Sequence, residues 1–167
     1  MGVLITNQQN LRSIREDLVR KTARALLSDL GNPDSELSIL LTDDAGIETI
    51  NRAYFNRPRP TNVISFSMME GEFSDVNPNA SMLGDIVVSV ETAVREAREA
   101  GIPEWERIAE LLVHGLLHIV GYDHEAPDAD SAAMEARSAR LMEMLGSEGL
   151  LDEFPVQPEE PAERRDE

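Results

Sequence analysis

All three histidines of this chain fall in one eleven-residue window, His114-Gly115-Leu116-Leu117-His118-Ile119-Val120-Gly121-Tyr122-Asp123-His124. Imidazole is the commonest side-chain metal ligand and a proton carrier near neutral pH, so the first question is whether these rings can meet at one ion. On a helix His114 and His118 lie four residues apart and project from the same face. Gly121 permits a sharp turn that returns His124 toward them. Three imidazoles leave one tetrahedral position open, and that open position separates a catalytic zinc site from a closed structural one. Two histidines at this spacing alone would read as a surface or cap feature; the third makes the metal reading. With no cysteine in the chain, imidazole and carboxylate are the available ligands. Leu116, Leu117, Ile119 and Val120 read as the buried face of the same helix.

The spacing is that of the metzincin signature, His-Glu-x-x-His-x-x-Gly-x-x-His, with Gly115 where those proteases carry glutamate. That glutamate is their general base, and glycine offers no proton acceptor. A peptidase working by that route is therefore not expected. Arg57 and Arg59 bracket Pro58, and a forked guanidinium suits a phosphodiester and the charge that grows on it during attack; the alternative is solvated loop charge. Asp123 can orient an imidazole, act as a base or simply form a turn. Asp85, inside an apolar strand, is expected to accept a hydrogen bond from a ligand histidine or to cap a turn. Thr61 and Ser65 read as strand and turn residues, and Trp105, the single tryptophan, as a packing residue before a base-stacking one.

Strands and helices must position these groups. Val3-Leu4-Ile5 suggests a first strand; Leu11, Ile14, Leu18, Ala25 and Leu26 recur at helical spacing and predict a helix over residues 11–30, stopped by Gly31 and Pro33. Leu37, Ile39 and Leu41 alternate as in a strand. Asp43 caps a helix carrying Ile47, Ile50 and Tyr54. Residues 57–60, with two prolines, are irregular, and residues 62–68 form a strand. A loop over 70–81 leads to a strand over 83–90 that is apolar enough to be buried on both faces. Helices follow over 91–100, 103–120 and about 130–145. Strands clustering before three final helices predict an α+β fold, a compact single domain with a mixed sheet packed by helices and a zincin-like metal-binding helix.

The chain has 167 residues, 41% of them hydrophobic, enough for one core. Residues 1–150 are expected to form the domain and residues 151–167 an acidic, disordered tail. No apolar run is long enough for a membrane span and the first residues do not read as a secretory leader, so a cytoplasmic protein is expected. The net charge of −17 argues against broad electrostatic attraction to nucleic acid, though not against a local basic groove.

With these motifs in hand, the sequence resembles the YbeY endoribonucleases, also called rRNA maturation factors. The match rests on the window from His114 to His124, on Pro60-Thr61-Asn62-Val63-Ile64-Ser65-Phe66 and Leu83-Gly84-Asp85-Ile86-Val87 in the same order upstream, and on Met134-Glu135 downstream. The resemblance implies a metal-dependent, single-strand-specific endoribonuclease acting in 3′-end maturation of 16S rRNA and in ribosome quality control. It implies one Zn2+ per chain on His114, His118 and His124, and rRNA precursors, the small ribosomal subunit and assembly factors as partners. Two positions depart from the family pattern. Phe55 follows Tyr54 where the family usually has arginine, leaving Arg57 or Arg59 to supply the guanidinium, and Ser67 stands where it usually has proline. A metal-dependent hydrolase of peptides or esters, and a non-enzymatic assembly factor with a structural metal, are the competing readings.

Overall fold

Val3 and Ile5 are buried while Leu4 between them is exposed, the two-residue period of a half-covered strand, and Val3–Asn7 forms β1. The computed structural model describes residues 2–68, 82–121, 128–152 and 156–158. The remaining strands of the main sheet are β3 (Glu36–Thr42), β4 (Val63–Ser67) and β5 (Met82–Ser89), in the spatial order β1-β3-β5-β4. β1 and β5 both run parallel to β3, and β4 pairs antiparallel with β5 from Val63↔Val88 to Ser67↔Gly84. A central strand must satisfy apolar neighbours on both faces, and Leu83, Ile86, Val87 and Val88 of β5 are all buried, as the apolar run predicts.

Five helices are described: α1 (Glu16–Asp29), α2 (Asp44–Phe55), α3 (Val90–Ala100), α4 (Glu104–Ile119) and α5 (Asp128–Ser147). The main core joins α1, α3, α4 and α5 to one face of the sheet through residues such as Leu26, Ile39, Ile86, Leu112, Leu116 and Leu141. α2 covers part of the opposite face, where Ile47 packs with Ile64 and Val87. Its start is the expected cap: the Asp43 carboxylate accepts from the Gly46 N–H at 2.9 Å. Asp44 then ties α2 to α3, accepting from Ser89 Oγ at 2.7 Å and Thr92 Oγ1 at 2.6 Å. The mixed α+β sheet architecture thus agrees with the sequence reading. Among the described residues no helix is long and apolar enough to cross a membrane.

Two expectations are corrected. Residues 11–30 are not one helix, because Arg12–Ile14 forms a short strand, β2, before α1 begins at Glu16. The Gln9 side chain accepts from the N–H groups of Leu11 and Arg12 at 3.0 Å, and the Arg12 guanidinium is held by Glu104 at 2.9 and 3.1 Å, so tertiary partners override the local helical spacing. The partner of β2 is β6 (Val156–Pro158), antiparallel, and part of the stretch read as a solvated tail is therefore paired. Trp105 is buried, as expected of a packing residue, and its indole N–H donates to the Leu150 carbonyl at 2.9 Å, tying α4 to the turn that follows α5.

Candidate metal centre

α4 is amphipathic, and its two faces have different tasks. Trp105, Ile108, Leu112, Leu116 and Ile119 enter the core, while Arg107, Glu110, His114 and His118 recur every three or four residues along the other side. The helix approaches β5 at Gly115. A Cβ placed there would stand 3.1 Å from Ile86 Cγ2, tighter than most side-chain contacts, so a side chain at 115 would require Ile86 to give by a few tenths of an ångström. The helix ends as the spacing demands: Gly121, at φ 105, is in the left-handed region glycine favours, and its N–H reaches the His118 carbonyl at 3.2 Å. Ser67 Oγ donates to the Ile119 carbonyl at 3.2 Å, satisfying one acceptor of the last turn.

His114 and His118 are brought together. Their Nε2 atoms lie 3.0 Å apart and their rings meet edge to face with centroids 4.5 Å apart. Two nitrogens at that separation can both stand at the usual zinc distance of about 2.0–2.1 Å from one ion, so the pair fits the ion its spacing suggests. The same separation also allows a hydrogen bond whose direction depends on the tautomer. His124 and Asp123, named from sequence, lie outside the described residues. Among the described residues no group of three or more His, Cys, Asp or Glu is placed to hold a metal.

His114 opens onto a cavity of about 600 Å³ lined also by Asn62, Val63, Arg107, Glu110 and Glu135. Sequence reasoning missed Arg107 and Glu110. Their positions seven and four residues before His114 were the available signal. Arg107 bonds Glu96 at 2.9–3.0 Å and Glu110 at 2.8 Å, and Asn62 Nδ2 donates to Glu96 at 3.3 Å. His114 is exposed, yet enough protein surrounds its ring for burial to be the main cause holding its pKa below the ordinary histidine value. The neighbouring His118 and the Arg107 charge push in the same direction. A lowered pKa keeps the imidazole neutral further into acid, and neutral imidazole is the form that ligates. Removing the cation and exposing its carboxylate partners both favour protonation, so Arg107→Gln should raise the pKa of His114. Proton NMR titration of the chelated protein checks this, and an unchanged or lower value would count against it.

The other residues singled out in the sequence divide. Asp85 shares its strand face with Val87, on the α2 side, whereas Gly84, Ile86 and Val88 face α4. Asp85 therefore lies away from His114 and His118, in a second cavity with Thr6, Ser38, Tyr54 and Phe66. Strand parity, readable from the buried Ile86, was the signal that separates them. Arg57 lines a smaller depression of about 210 Å³ with Phe55, Thr61, Val63 and Ser65. This depression and the histidine cavity share Val63. Arg59 is fixed nearby through its carbonyl, which accepts from Asn51 Nδ2 at 3.0 Å.

The family model described as endoribonuclease YbeY matches residues 4–146. The chain belongs to the YbeY endoribonuclease family. Over 152 residues, 90% of this chain, it is 49% identical to proteins named endoribonuclease YbeY from Geobacter metallireducens and from Geobacter sulfurreducens, each matched along its whole length. It is 45% identical over the same span to the YbeY endoribonuclease of Syntrophotalea carbinolica. The fold is also that of a Thermotoga maritima protein solved in solution, with a TM-score of 0.62 at 24% identity, covering 87% of this chain and 90% of that one. Within this YbeY chain the motif histidines His114 and His118 sit together on α4, and His114 lines the cavity described above.

Proposed function

We propose that this chain is a zinc-dependent, single-strand-specific endoribonuclease of the cytoplasm. Its task would be 3′-end maturation of 16S rRNA and ribosome quality control, with rRNA precursors, the small ribosomal subunit and assembly factors as partners. The observation that carries the reading is the pair of ring nitrogens, His114 Nε2 and His118 Nε2, 3.0 Å apart, with His114 lining a cavity shared with Arg107 and Glu110, in a chain of an endoribonuclease family. Family membership supports RNA as the substrate. Single-strand specificity, the 16S rRNA end and quality control rest on the resemblance of the motifs.

His114, His118 and His124 would hold the ion, and a zinc-type ion supplies a Lewis acid that lowers the pKa of water. The protein's own groups do the rest. Arg107 helps keep His114 neutral and so able to ligate. Gly115 accepts no proton; Asp123, beside His124 in sequence, and Glu135, on the wall of the histidine cavity, are candidate carboxylates for that task, while Glu110 on the same wall is held by Arg107 at 2.8 Å. Arg57 and Arg59 would bind the phosphodiester and stabilise the charge that builds on it. Among the described residues neither guanidinium is paired with an acid, whereas Arg52 nearby is held by Glu48 at 2.9 Å.

The experiment is the double variant Arg57→Ala plus Arg59→Ala, assayed on labelled single-stranded RNA. Cleavage should fall on the order of tenfold or more, because a positioned guanidinium acts on the transition state. Metal content and melting temperature should stay at wild-type values. A double variant that cleaves at the wild-type rate would remove this loop from the site.

A further inference from the structure

α2 ends on two aromatic residues whose side chains do not enter the core. Tyr54 is 69% and Phe55 46% exposed. Both rings lean on Phe66 of β4. Phe55 stacks on it with centroids 5.8 Å apart and planes 18° from parallel, while Tyr54 meets it edge-on at 5.2 Å. Large exposed aromatic surface is costly in water, and here its geometry is fixed by the backbone that follows. Asn56 takes a left-handed conformation, φ 56, which folds the chain back so that the Arg57 N–H reaches the Asn51 carbonyl at 3.2 Å. The buried Asn51 side chain then pins the Arg59 carbonyl. A ring and the start of an arginine-bearing loop are thus set side by side in a preorganised corner.

We infer that Phe55, backed by Phe66, is a stacking platform for one unpaired base of a single-stranded RNA whose backbone runs past Arg57 toward His114. Three observations favour RNA as the occupant. The depression that Phe55 lines, about 210 Å³, has room for one planar base and carries Arg57 on its wall. Arg57 and Arg59 have no acidic partner among the described residues, so in a chain of net charge −17 this corner complements phosphate locally. The depression also adjoins the histidine cavity at Val63, so a chain seated on Phe55 is led toward the metal-site residues. An aromatic face accepts any base, and a groove made of one ring and nearby cations suits single strands, whose bases are free to unstack. Phe55 would thereby select unpaired substrate and set its register.

This inference rests on the ribonuclease reading above, and its test is built to fail separately. KM and kcat for a short fluorescein-labelled single-stranded RNA are measured for wild type, Phe55→Leu and Phe55→Trp. Loss of the aromatic face in Phe55→Leu should raise KM roughly tenfold with kcat held within about twofold, and Phe55→Trp should restore KM. Leucine keeps apolar bulk on Phe66, so a folding defect is not expected to mask the result. In a second measurement the same RNA is added to Phe55→Trp in the presence of EDTA. The fluorescence of the new tryptophan should be quenched over the buried Trp105 background. Wild-type KM in Phe55→Leu, or unquenched fluorescence in Phe55→Trp, would overturn the platform. Absence of RNA cleavage by the wild type would instead overturn the endoribonuclease reading, while the quenching arm still decides whether bases stack here.

Discussion

His118→Ala is expected to lose its metal and, with it, RNA cleavage by more than roughly 100-fold. Changing a residue that merely orients a ligand ordinarily costs 10–100-fold in metal affinity or activity, and removing a ligand costs more. His118 Nε2 stands 3.0 Å from His114 Nε2, so its removal takes away half of the pair the structure brings together. Alanine is the best helix former, and the replaced ring lies on the polar side of α4. The fold should therefore persist, with far-ultraviolet circular dichroism unchanged while metal analysis and cleavage both collapse. A His118→Ala protein with full metal content would place the ion elsewhere.

Gly115→Glu, which would complete the protease signature, is expected to weaken the fold without creating a peptidase. The new Cβ would stand 3.1 Å from Ile86 Cγ2, and Ile86 is fully buried between β5 and α4. Ile86 must give by a few tenths of an ångström for the Cβ, and the longer glutamate side chain adds overpacking that costs about 1–3 kcal/mol. A carboxylate started from a buried backbone position adds its own desolvation, so the total is about 3 kcal/mol or more. Urea unfolding measures it directly, with Gly115→Ala expected to lie between glutamate and wild type. Wild-type stability in Gly115→Glu would show that position 115 faces open space.

The pairing of His114 with His118 was legible because both ends of the relation lie on one helix, where a four-residue interval fixes direction whatever the rest of the chain does. The Asp43 cap, the turn at Gly121 and the two-sided burial of the β5 segment were legible for the same reason: each depends on a few neighbouring residues. The misreading over residues 11–30 has the opposite origin. Leu11 and Ile14 sit at helical spacing, but Arg12–Ile14 pairs with Val156–Pro158 from the far end of the chain, and no local pattern announces so distant a partner.

Asp85 shows the same limit at the site. Its place in an apolar strand suggested a bond to a ligand histidine, but which face it occupies depends on where α2 and α4 pack. Arg107 went unnoticed because an arginine on an exposed helix face is ordinary. Its importance emerges when Glu96 from α3 and Glu110 hold it in the wall of the cavity shared with His114. Gly115 was read chemically, as a missing base, and the structure adds a packing reason for glycine there: a Cβ would press on Ile86 of β5.

Metal analysis of the purified wild-type protein, with cleavage of a labelled single-stranded RNA followed before chelation, after chelation and after zinc is returned, bears most directly on what these residues do. About one zinc-type ion per chain is expected, with cleavage lost on chelation and recovered with zinc. A protein that cleaves RNA equally well after complete removal of the metal would contradict the assignment of His114, His118 and His124 as the centre of the reaction.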